Sequence, residues 1–69
     1  MDSYLIAVEP SAVTALAAAV RELGGKPLHP SCCIAPWSGG ADALCRKLRS
    51  TLPGHFAVCS LGGSDWSYQ

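Results

Sequence analysis

Side chains able to do chemistry are few in this chain of 69 residues. His29, Ser31 and Cys32 stand close together, which is the content of a base and a nucleophile. A working triad also needs an orienting acid and an oxyanion hole. The acids nearest in sequence are remote, and no nucleophile elbow is present. These residues therefore read as parts of a turn around Pro30. The cysteines are Cys32, Cys33, Cys45 and Cys59. Cys33, Cys45, Cys59 and His55 have the atoms for a zinc site. They lack a Cys-x-x-Cys pair and finger-spaced histidines, so the ligand spacing is missing. The plainer reading is that they are small buried hydrophobes. A disulfide, for example between Cys45 and a strand cysteine, is disfavoured in a reducing compartment. Gly24-Gly25, Gly39-Gly40 and Gly62-Gly63 are not phosphate loops, because no Gly-Lys-Ser/Thr follows them.

Charge narrows the function classes. Lys+Arg is 5 and Asp+Glu is 5, a net charge of zero. A DNA-wrapping protein or an acidic DNA mimic needs a strong field of one sign. Arg46, Lys47 and Arg49 form the only basic cluster. They could touch phosphates or an acidic protein, but three charges make a weak field and also suit a solvated helix face. Trp66 and Tyr68 are aromatic residues in a polar tail, 62–69. They either fold back over the sheet or anchor a partner, as aromatic hot spots do.

The elements that must position these residues follow from periodicity. Tyr4-Leu5-Ile6-Ala7-Val8 is an apolar run of strand length, as in a central strand. Ser11 reads as an N-cap. Val13, Leu16, Ala17, Val20 and Leu23 then mark one face of a helix, which Gly24-Gly25 ends. Lys26 to Pro30 holds two prolines, so it survives only as an edge strand or extended arm. Cys32-Cys33-Ile34-Ala35 is a second strand candidate, ending at Pro36. Neighbouring Cys32 and Cys33 face opposite sides of it. Ala41, Leu44, Cys45, Leu48 and Leu52 mark a second helix. Asp42 lies in its first turn and Arg46, Lys47 and Arg49 near its end, as the helix dipole favours. Phe56 to Leu61 is a further strand, apolar on both sides.

The order strand, helix, weak strand, strand, helix, strand predicts one α+β domain over 1–69, a ferredoxin-like split βαβ sandwich. Both helices then cover one face of a small antiparallel sheet, with the first and last clear strands as neighbours. So short a chain has little left for the other face. That face must meet solvent, the tail, a second copy or a partner. No apolar run approaches a membrane span. Met1-Asp2-Ser3 lacks a basic n-region, so a cytoplasmic location with reduced thiols is expected.

In this order and spacing the chain resembles the small ferredoxin-like subunit of the CRISPR adaptation complex, in its SinR-like branch, over about residues 3–66. Tyr4 to Glu9 is similar to the family's first strand. Leu23-Gly24-Gly25 is similar to its helix end, and Ser31-Cys32-Cys33-Ile34 to its Ser-Thr-Trp-hydrophobic strand. Ala41 to Leu52 resembles its second helix. Phe56 to Leu61 with Gly63-Ser64-Asp65-Trp66 resembles its last strand and Gly-x-Trp tail. The resemblance puts Glu9 where the family holds a metal-ligating Asp. A lone carboxylate followed by Pro10 is poorly suited to a catalytic ion, and Glu9 also reads as a solvated acid before a helix.

The expected function is a non-enzymatic protein-binding module without cofactor. Arg46, Lys47, Arg49, Trp66 and Tyr68 are its candidate contact residues. In its most specific form it is a mobile-element (phage) inhibitor docking on a CRISPR effector subunit in a bacterial cell. The alternatives are a homodimer, an adaptation-like or toxin-like subunit touching nucleic acid, and a metal-dependent nuclease using Glu9.

Overall fold

The computed structural model describes residues 2–61 and 66–68, and at positions 2, 66 and 68 it describes the backbone alone. Its elements in chain order are β1 (Asp2–Val8), a 3₁₀ turn (Pro10–Ala12), α1 (Val13–Leu23), β2 (Lys26–His29), β3 (Cys32–Trp37), α2 (Ala41–Arg49), β4 (Phe56–Ser60) and β5 (Trp66–Tyr68). The strands form one antiparallel sheet in the order β2-β3-β1-β4-β5. The long apolar run of β1 thus lies at the centre, and β2 with Pro27 lies at an edge.

Alternation along the strands decides what the helices cover. Tyr4 and Ile6 pair with Ala35 and Cys33, and Ile6 also pairs with Val58. All five are buried, in one cluster with Phe56. Leu16, Ala19 and Val20 of α1 and Ala41, Leu44, Cys45 and Leu48 of α2 complete that cluster, so both helices sit on the same face. The chain is an α+β protein with two helices packed on one side of an antiparallel sheet. No described helix is long and apolar enough to cross a membrane.

Several boundaries differ from the periodicity. Ser11 does not cap α1. Pro10 starts a 3₁₀ turn, Ala12 precedes the α-helix, and neither the turn nor the helix has a side-chain cap at its N-terminus. Proline suits a first helical position because its missing N–H has no helical partner there anyway. Ala19, not Ala17, lies on the buried face of α1. Leu52 is buried but follows the end of α2, with its N–H donated to the Leu48 carbonyl at 2.7 Å. β3 continues through Pro36 to Trp37. Pro36 lies beyond Lys26, the last β2 partner, opposite Ile34, and one-sided pairing is where a strand tolerates proline. Trp37 packs against the core and donates its Nε1–H to the Gly40 carbonyl at 3.0 Å.

The tail differs most. Positions 62–65 and 69, where part of the aromatic tail was expected, lie outside the described residues. Positions 66–68 are a fifth strand on β4, with Trp66 opposite Cys59 and Tyr68 opposite Ala57. Ser67 between them is buried.

Candidate functional site

The sheet face away from the helices is built by the other half of each strand. Leu5 is flanked by Ile34 on β3 and Cys59 on β4, and Ala7 by Cys32 and Ala57. Ser3 lies opposite Pro36. These side chains are partly exposed, and no described helix covers them. Leu28 on edge strand β2 and Leu61 just after β4 are the exposed large hydrophobics among the described residues, each 59% exposed. Among the described residues this face carries Lys26, opposite Ile34, and at its β1–β4 end Glu9, which lines a hollow with Ala7 and Ala57. The result is a largely apolar surface with few charges.

The basic cluster is elsewhere. Arg46, Lys47 and Arg49 are exposed on α2, which belongs to the helix layer on the other side of the sheet. Lys47 Nζ stands 3.5 Å from Glu22 Oε1 of α1, so one of the three charges already has a counter-ion. A cleft of about 190 Å³ opens beside this pair, between Ala19 and Leu23 on α1 and Leu48 on α2. The five residues expected as one contact set are therefore split. Three lie on α2, and two lie in edge strand β5, where their backbone is described.

His29 and Ser31 do meet. His29 Nδ1 lies 3.1 Å from Ser31 Oγ and accepts the Ser31 backbone N–H at 3.3 Å. Both bonds close the turn between β2 and β3. Among the described hydrogen bonds none joins a carboxylate to this imidazole, so the pair lacks the acid that would orient a catalytic base.

Glu9 is engaged as well. Its Oε2 accepts the backbone N–H of His55 at 2.7 Å. The preceding Gly54 has φ +74°, and a Cβ there would collide with the same carboxylate. Glu9 thereby ties the end of β1 to the start of β4. This link spans most of the chain and had no signal in the local sequence. Among the described residues no group of three or more His, Cys, Asp or Glu side chains could hold a metal ion. The candidate zinc set is dispersed: Cys33 and Cys45 are in the core, Cys59 is on the opposite face, and His55 is exposed in a loop. All four cysteines are free thiols. Burial, with a smaller contribution from neighbouring Cys32, pushes the Cys33 thiol up to about 11. It is a packing group, protonated at neutral pH.

Sequence reasoning missed the surroundings of Lys26. β2 pairs with β3 through Lys26, Pro27 and His29, and a bulge leaves Leu28 out of register. The signal was present as two prolines and an isolated leucine in an arm otherwise hard to assign. A hydrophobic residue in a bulge on an edge strand has no core to enter. Comparison with protein-family models, curated proteins and solved structures finds no match to this chain.

Proposed function

We propose that this protein is a non-enzymatic protein-binding module of ferredoxin-like architecture, which docks the open face of its sheet on another protein. The observation that carries this reading is the uncovered row Leu5, Ile34 and Cys59 with Ala7, Cys32 and Ala57 beside it. The architecture is supported by two helices on one face of an antiparallel sheet and by a β2-β3-β1-β4 core order. The engagement of Glu9 by His55, and of His29 by the turn it closes, favours binding over catalysis. The resemblance to a CRISPR-associated subunit narrows the partner to a CRISPR effector subunit, with the protein as its inhibitor. That narrower form rests on the resemblance alone.

The test is co-purification of wild type and Leu5→Asp with candidate CRISPR effectors, followed by target-DNA binding by the effector. Association and weakened DNA binding are expected with wild type and not with Leu5→Asp. No association and unchanged DNA binding would sink the inhibitor form.

A second reading keeps nucleic acid as the partner, through Arg46 and Arg49. Among the described residues neither has an ion pair. A salt-dependent affinity for duplex DNA, lost when Arg46, Lys47 and Arg49 are all replaced by Ala, is its expected signature. Undetectable binding at low salt rejects it.

A further inference from the structure

A groove of about 240 Å³ runs along the β2 margin of the open face, between Gly24-Gly25 and Leu28, over Ile34 and Pro36. It is smaller than the roughly 300 Å³ at which small-molecule sites begin, so one side chain fits it better than a cofactor does. Two glycines line it. Gly24 is left-handed at φ +74°, and a Cβ there would point into empty space. Gly25 lies against the Ile34 carbonyl so closely that any Cβ would collide with backbone. Leu28, put out of register by the bulge, stands as the outer wall.

Lys26 lines it too, and among the described residues its ammonium group makes no hydrogen bond or salt bridge. A partner covering this margin with apolar atoms alone would strip water from an ammonium group without replacing it, which opposes binding. The other way to use a sheet margin, adding a strand, is obstructed. Pro27 has no N–H, and the bulge interrupts the row of backbone groups. Recognition here must go through side chains.

We propose that the partner presents an acidic–apolar segment, placing one apolar side chain in this groove and a neighbouring carboxylate on Lys26. This rests on the reading of the open face as a docking surface and specifies the chemistry of what docks.

Two probes with the same ring and opposite charge test it: indole-3-propionate and tryptamine, titrated separately into the full chain and followed by amide NMR shifts. Indole-3-propionate is expected to move Gly24, Gly25, Leu28 and Ile34, and to bind roughly five-fold tighter than tryptamine, the upper range for an exposed ion pair. Lys26→Glu should reverse the preference, and Leu28→Asp should weaken both probes. Equal affinity for the two probes, an unchanged preference in Lys26→Glu, or shifts confined to other parts of the chain would overturn the proposal. Such a result, with partner capture still lost in Leu5→Asp, would remove the acidic segment and leave the docking surface standing. Loss of both would remove both.

Discussion

Cys32 and Cys33 are chain neighbours with opposite environments, because a strand turns successive side chains to opposite faces. Cys33 is fully buried among helix-facing residues, and Cys32 is half-exposed beside Ala7 on the open face. The same division separates buried Cys45 from half-exposed Cys59. At pH 8 a thiol-alkylating reagent should label Cys32 and Cys59 and spare Cys33 and Cys45 until the chain is unfolded, as read by peptide mass spectrometry. Rapid labelling of Cys33 in the folded chain would contradict its placement. The pH dependence has a definite sign. The folded Cys33 thiol is raised from 9.0 to about 11, so the unfolded chain ionises first. Stability from this residue is complete below about pH 9 and is lost as pH rises towards 11. Cys33→Ala should flatten that alkaline decline in urea unfolding.

The end of α1 shows how much of an element is legible locally. Apolar spacing and a Gly-Gly pair mark the helix stop, and Gly24 takes the left-handed cap there, donating its N–H to the Arg21 carbonyl. The two glycines look equivalent in sequence and are not equivalent in the fold. Gly24 is constrained by its dihedral angle, Gly25 by the Ile34 carbonyl across the sheet. Gly24→Ala should cost about 1 kcal/mol through backbone strain. Gly25→Ala should cost about 2–3 kcal/mol, since a backbone clash forces β2 and β3 apart. Denaturant midpoints of the two variants check the order, and a larger loss at Gly24 would contradict it. The beginning of α1 was less legible. Ser11 has the chemistry of a cap, but Pro10 fixes the backbone of the preceding turn and the helix starts later. In α2 Ala41, Leu44, Cys45 and Leu48 are all buried, because one packed face imposes one period.

At the scale of the molecule the two sheet faces predict opposite responses to mutation. Leu44 is fully buried where α2 meets the sheet. Leu44→Ala should cost about 2–5 kcal/mol, much of the stability of so small a domain. Leu5, at the centre of the open face, is partly exposed, so Leu5→Asp should leave the thermal midpoint within a few degrees of wild type while removing any self-association seen by sedimentation. Unfolding of Leu5→Asp, with Leu44→Ala little affected, would mean the two faces are misassigned.

What the sequence determined by itself was local and periodic: two amphipathic helices, apolar strands and a proline-marked edge. Those properties depend on neighbours within a few residues. The tertiary structure decided the rest. It set Glu9 on the backbone of His55, dispersed the cysteines, made a fifth strand of positions 66–68, separated Arg46, Lys47 and Arg49 from the open face, and placed Lys26 beside Ile34. Each of these depends on which strand lies beside which, and pairings between residues far apart in the chain leave no local pattern to read.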